Sequence, residues 1–186
     1  MLCASDRLSP APRRILIAGV TGVGKSVLAQ RIEASTAIPY SELDRLYHGP
    51  NWTQRTTFLA DVSELANNDA WVTEWQYRSA RVILEPAADT LVWLDFPLPI
   101  VLLRLIRRTV WRRLTHHTLW AGNTEPPLWH FVSGKDNVLR WAIRSHSSYR
   151  TTIPALAAAN PQLRVVQLRR PAEAQRWLTA LSRSET

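Results

Sequence analysis

The chain has 186 residues, enough for one domain with a real core, and its 23 basic against 15 acidic residues give a formal charge of +8. The single cysteine, Cys3, excludes a disulfide framework and fits a reducing cytoplasm, and the longest apolar run, Leu98–Leu103, is far too short to cross a bilayer. The positive balance favours a polyanionic ligand, a nucleotide before a nucleic acid.

Residues 1–12 hold two prolines, Asp6 and Arg7 and no long apolar core, so they read as a flexible segment and not as a signal peptide; residues 13–183 read as one domain. Arg14-Ile15-Leu16-Ile17-Ala18 reads as a buried strand. Gly19-Val20-Thr21-Gly22-Val23-Gly24-Lys25-Ser26 follows it and fits G-x-x-x-x-G-K-[ST] at every required position, and residues 25–35 then take up helical apolar spacing. Strand, glycine loop and helix in that order are the context a phosphate-binding loop requires. Such a loop turns successive backbone N–H groups inward, here from Gly19, Thr21, Gly22, Val23, Gly24, Lys25, Ser26 and Val27, at the positive end of a helix. Lys25 would reach the β- and γ-phosphates, and Ser26 would offer its hydroxyl to Mg2+. Lys25 and Lys135 are the only lysines among the 23 basic residues, so a chain that otherwise uses arginine keeps a compact point charge here.

Further along, a short second strand is expected at about 38–42, then a loop at Gly49-Pro50-Asn51-Trp52 and a helix over about 54–67. Trp71-Val72-Thr73 is the third strand, and Thr90-Leu91-Val92-Trp93-Leu94 the fourth. A helix over about 99–113 carries Arg104, Arg107, Arg108, Arg112 and Arg113 in a stretch, 96–124, without an acidic residue. An irregular segment leads to a helical region ending near Tyr149, Leu163–Leu168 is the fifth strand, and Pro171 opens the last helix. Alternating strands and helices predict an α/β fold, a mostly parallel sheet covered on both faces.

In such a sheet the ligand lies beyond the carboxyl ends of the strands, which gives weight to Asp44, Glu74 and Asp95. Asp95, closing an apolar run, is either a carboxylate held near Mg2+ or a turn aspartate before Pro97. Asp44 can take a proton from a substrate hydroxyl, orient it or help hold Mg2+, the alternative being a helix cap. Arg104, Arg108 and Arg112 share one helix face and can neutralise the charge of a transferring phosphoryl group, while Arg107 and Arg113 face solvent. The segment about 112–127, with His116 and His117, reads as a lid. Trp71, Trp93, Trp141 and Trp177 read as core; Trp52, Trp75 and Trp120 lie in loops near the site. A monophosphate acceptor would need further cations, for which Arg45, Arg78 and Arg81 are candidates, whereas a hydroxyl acceptor needs Asp44 as base.

Taken together, the pattern resembles the P-loop kinase group related to adenylate kinase, and within it the bacterial DNA topology modulation proteins. The resemblance rests on Gly19–Ser26, on Leu43-Asp44-Arg45-Leu46-Tyr47-His48-Gly49-Pro50-Asn51-Trp52, on Trp71-Val72, on Ala88–Asp95, on Arg104–Arg108 and on Trp120-Ala121-Gly122-Asn123-Thr124-Glu125, spanning about Arg14 to Trp177. It implies a three-layer fold, a five-stranded parallel sheet with helices on both faces and an arginine-bearing lid, with Arg104 and Arg108 matching the arginines that flank adenine and phosphate. Where many members carry Asp-Gly-Asn-Tyr this chain has Glu74-Trp75-Gln76-Tyr77, which implies a narrower acceptor pocket or a tryptophan that stacks on a different substrate. The expected function is ATP- and Mg2+-dependent phosphotransfer to a nucleoside monophosphate or a hydroxylated metabolite, in the cytoplasm, by a monomer or dimer with no membrane partner. The alternative is a nucleotide-binding regulatory or DNA-associated protein with little phosphotransfer.

Overall fold

The structure, a computed structural model, describes residues 1–6, 8–114 and 138–183, with side chains for 1–6, 8–111 and 143–183. In chain order the elements are β1 (Arg14–Ala18), α1 (Lys25–Ser35), α2 (Leu43–Tyr47), a 3-10 turn (Pro50–Trp52), α3 (Phe58–Asn67), β2 (Trp71–Glu74), α4 (Arg78–Ala87), β3 (Thr90–Leu94), α5 (Leu98–Leu114), α6 (Val138–Ala159), β4 (Arg164–Leu168) and α7 (Pro171–Arg183). The strands pair in parallel in the order β2-β1-β3-β4. Both faces of the sheet are covered, which is why β2 and β3 are buried at every position, Thr73 and Glu74 of β2 included.

Alternation along the strands feeds two cores. Ile15, Ile17, Val92, Leu94 and Val166 pack with Leu28 and Ile32 of α1 and Trp177, Leu178 and Leu181 of α7. Leu16, Trp71, Leu91, Trp93 and Val165 pack with Phe58 and Val62 of α3, Leu84 of α4 and Ile153 of α6. Trp71, Trp93 and Trp177 are therefore core residues, as their apolar neighbours suggested, whereas the Trp141 side chain lies outside the described residues.

Among the described residues the sheet has four strands where five were expected. The run at 38–42 contributes one parallel bridge, Tyr40 to Val72, through Val72 N–H to Pro39 O (2.9 Å) and Ser41 N–H to Val72 O (3.0 Å). Pro39 has no N–H to lengthen a ladder. The Ser41 carbonyl accepts from the Thr73 hydroxyl at 2.6 Å, and by Leu43 the backbone has entered α2. Helix α4 went unread because Val82-Ile83-Leu84 is a short run that Pro86 interrupts, and of its apolar residues only Ala80 and Leu84 are buried. Helix α3 begins at Phe58 and not at 54, and α6 runs ten residues past Tyr149, to Ala159, through Pro154. Segment 1–12, expected to be flexible, is tied to the outer edge of the sheet. Leu2 N–H donates to Val165 O at 2.7 Å and Gln167 N–H to Leu2 O at 2.9 Å, with Leu8 packed against the core.

Candidate active site

The glycine loop joins the carboxyl end of β1 to the first turn of α1. Gly24 precedes that helix with φ +110, and Gly22 has φ +80, conformations that other residues adopt only under strain. At Gly22 a Cβ would also lie 2.8 Å from the Cβ of Leu105, so the glycine lets α5 close over the loop.

Lys25 folds back across the loop, its ammonium donating to the Gly19 carbonyl at 2.9 Å and lying 3.5 Å from that of Val20. Burial lowers its pKa from 10.5 to about 8; the carboxylates of Glu74 and Asp44 oppose that shift, while Arg108 and Arg81 add to it. The next residue, Ser26, donates its hydroxyl to Glu74 Oε1 at 3.0 Å. Glu74 ends β2 and is buried; Oε1 also accepts from the Tyr40 phenol at 2.5 Å, and Oε2 from the Leu43 N–H at 3.3 Å. Burial first, and then the carboxylate itself, push the Tyr40 phenol well above its ordinary pKa, so it serves as a neutral donor.

Across the loop, Asp44 sits on α2 and accepts at Oδ1 from the Tyr77 phenol (2.6 Å) and the Gln76 amide (3.3 Å). From α5, Arg104 donates to the Val23 carbonyl at 2.7 Å and lies 5.2 Å over the Phe96 ring, holding the loop against α5. A cleft of about 460 Å3 runs between these groups, lined by loop residues Thr21 to Leu28, by Asp44 and Gln76 at one end, by Arg104 and Arg108, and by Pro171 and Ala174 of α7. It is a concave site with convergent polar groups beyond the carboxyl ends of parallel strands.

Of the residues singled out from sequence, Thr21, Gly22, Val23, Gly24, Lys25, Ser26, Val27, Asp44, Arg104 and Arg108 all line this one cleft. Asp95 does not. Its Oδ1 accepts from Arg150 Nε at 3.1 Å and its Oδ2 from Gln167 Nε2 at 2.8 Å, so the carboxylate ties α6 to β4 and makes no bond to the loop's Ser26. The acid beside Ser26 is Glu74, which closes an apolar run just as Asp95 does; that signal was present for both. Arg107 is exposed, as expected, and the Arg112 and Arg113 side chains and segment 115–137, with His116, His117 and Trp120, lie outside the described residues.

Trp75 corrects an expectation. It is 2 % exposed, donates its indole N–H to Glu85 at 2.7 Å and carries the Arg81 guanidinium 3.5 Å above its ring, so it turns into the core and does not narrow the cleft. Trp52 stays at the surface, while Arg45 and Arg78 are exposed and Arg81 donates to the Trp75 carbonyl and the Tyr149 phenol. Tyr40, Gln76 and Tyr77 were missed, because a tyrosine or glutamine beside an acid carries no motif of its own.

No family model and no curated protein matches the chain. Among solved structures, a gluconokinase from Sinorhizobium meliloti superposes with a TM-score of 0.53 at 20% identity, over 92% of this chain and 93% of that one. A sugar kinase from Janibacter sp. gives 0.52 at 18% identity, over 94% and 98%. Shikimate kinase from Acinetobacter baumannii, in complex with shikimate, gives 0.52 at 13% identity, over 90% and 89%. At these identities the likeness is one of fold: the chain shares the α/β architecture of these structures. The narrower DNA topology modulation resemblance finds no matching family model. Among the described residues no helix is long and apolar enough to cross a membrane.

Proposed function

We propose that the protein is an ATP- and Mg2+-dependent kinase that phosphorylates a hydroxyl of a small molecule. The observation that carries this reading is the single cleft that holds the phosphate loop with Lys25, the Ser26 hydroxyl, the Asp44 carboxylate and two arginines. The loop amides and Lys25 bind the β- and γ-phosphates. Asp44 accepts the proton of the attacking hydroxyl, whose oxygen bonds to the γ-phosphorus while the β–γ bridging oxygen leaves with ADP. Arg104 and Arg108 spread over the negative charge of the transferring group.

The Ser26 hydroxyl and Glu74 carboxylate, 3.0 Å apart beside the loop, suit a hard oxygen-seeking cation. Among the described residues no three His, Cys, Asp or Glu side chains cluster as a metal cage, which fits Mg2+, an ion that keeps waters and phosphate oxygens as ligands. Bound there, Mg2+ would supply charge neutralisation at the β- and γ-phosphate oxygens. Asp95 is left out of the metal site because it meets Arg150 and Gln167 and not Ser26, whereas Glu74 bonds the Ser26 hydroxyl.

A hydroxylated metabolite is favoured over a nucleoside monophosphate. Arg45 and Arg78 are exposed, and Arg81 spends its guanidinium on Trp75 and Tyr149, so a cationic pocket for an acceptor phosphate is not assembled from them. Neighbours named gluconokinase and shikimate kinase agree with that preference, as does the adenylate-kinase-like sequence pattern with a P-loop kinase in general. The reaction belongs in the ATP-rich cytoplasm. A screen of ATP consumption with Mg2+ against polyols, sugar acids, nucleosides and nucleoside monophosphates, with Lys25→Ala alongside, tests the reading. It predicts one hydroxylated acceptor that stimulates turnover; stimulation by monophosphates alone would overturn the preference.

A further inference from the structure

Asp44 is held from behind by an aromatic assembly that the kinase reading does not by itself require. Oδ1 accepts the Tyr77 phenol at 2.6 Å, and the same phenol oxygen lies 3.1 Å from His48 Nε2. A phenol has one proton to give. The shorter contact, to a carboxylate, is the charge-assisted one. Burial, with the Asp44 charge beside it, keeps the Tyr77 phenol well above its ordinary pKa and therefore neutral. The proton on His48 must then sit on Nε2 and point at the phenol oxygen, giving a directed chain: His48 Nε2–H to Tyr77 O–H to Asp44 Oδ1. Asp44 Oδ2 takes no hydrogen bond from the described residues, and Asp44 lines the cleft.

The chain is rigidly framed. Tyr47 stacks on Tyr77 with ring centroids 4.0 Å apart at 12°, and meets His48 edge-on at 4.9 Å. Trp52 meets His48 edge-on at 5.0 Å, and Phe58 packs against both tyrosines. The backbone is pinned by His48 N–H to Asp44 O (2.9 Å), Gly49 N–H to Thr53 O (2.7 Å) and Arg55 N–H to Tyr47 O (2.9 Å). The three non-glycine residues with positive φ among the described residues, Asn51 (+53), Trp52 (+58) and Tyr77 (+47), all belong to this assembly. Backbone strain of that kind persists only where the surroundings over-determine it, and it gathers at functional sites.

We infer that Tyr77 and His48 are positioning residues for Asp44. They fix Oδ1 so that Oδ2 alone meets the acceptor hydroxyl and takes its proton, a role that rests on the kinase reading. The arrangement itself is tested without turnover. In the unliganded protein, 15N NMR of the imidazoles should find neutral His48 protonated at Nε2, and Tyr77→Phe should shift that resonance. Neutral His48 protonated at Nδ1, with Nε2 accepting, would overturn the inference, whether or not any acceptor is found and whether or not Tyr77→Phe folds. With an acceptor in hand, Tyr77→Phe should lower kcat roughly 10- to 100-fold with KM for ATP unchanged, less than the 10²–10⁴ of a whole general base. It should cause no further loss in an Asp44→Asn background, and His48→Gln, which keeps an N–H, should retain more activity than His48→Leu. Equal losses in both backgrounds would mean that Tyr77 acts only through stability and would also overturn the inference.

Discussion

Binding of ATP should carry a proton with it. Unliganded, the Lys25 ammonium is buried among carbonyls with a pKa of about 8. Triphosphate charges at the same place favour the protonated form, so the bound lysine should return to its ordinary 10.5 or above. Below pH 7 both states are charged and little is exchanged. At pH 9 the free lysine is about 10% protonated and the bound one about 97%, so binding takes up about 0.9 proton. Phosphate groups lose their last proton near pH 6, so the nucleotide adds nothing in that range. Affinity should therefore fall as pH rises from 8 towards 10, approaching about tenfold per unit. Titration calorimetry with a non-hydrolysable ATP analogue and Mg2+, in two buffers of different ionisation enthalpy, reads the linked proton directly. Zero uptake at pH 9, with an affinity independent of pH between 7 and 9.5, would refute the account of Lys25.

The same lysine bears on the empty fold. Its folded pKa lies below its unfolded one, so the unfolded chain holds more protons between pH 8 and 10.5 and this contribution to stability rises with pH across that window. Lys25→Met should raise the melting temperature at pH 7 while abolishing nucleotide binding. The two strand-end acids should separate: Glu74→Gln should weaken the Mg2+ dependence of nucleotide binding in a Mg2+ titration. Asp95→Asn, which disturbs links to Gln167 and to an Arg150 that is 54% exposed, should cost about 1 kcal/mol in denaturant unfolding and leave kcat unchanged. Gly22→Ala forces a side chain to φ +80 and against Leu105, and should cost about 1–3 kcal/mol in the same assay.

The parts of the molecule legible in the sequence are those in which local chemistry and tertiary demand coincide. The phosphate loop is written in its own glycines, and β1 and β3, buried on both faces, could only be apolar runs. The edge at 38–42 was harder, because whether an apolar run becomes a strand depends on which partner takes its carbonyls, and there a threonine hydroxyl did. Helix α4 was missed for a related reason: two buried residues suffice for a helix that lies along its neighbour α3. At the site, Lys25, Ser26, Asp44, Arg104 and Arg108 announced themselves by motif or by position after a strand. Asp95 and Glu74 sent the same signal from the ends of β3 and β2, the strands on either side of β1, and only the folded partners show that Glu74 meets Ser26 while Asp95 meets Arg150 of α6 and Gln167 of β4. Tyr77 and His48 are 29 residues apart and meet only once α2 and the start of α4 face each other, a relation that no spacing in the sequence encodes.

The central claim is phosphotransfer from ATP to a hydroxyl, and 31P NMR of the protein with Mg2+, ATP and a panel of polyols and sugar acids tests it most directly. The account predicts a new phosphomonoester resonance appearing in step with ADP for at least one acceptor, absent with Lys25→Ala. Tight binding of ATP and Mg2+ with no phosphomonoester from any hydroxylated acceptor would contradict it.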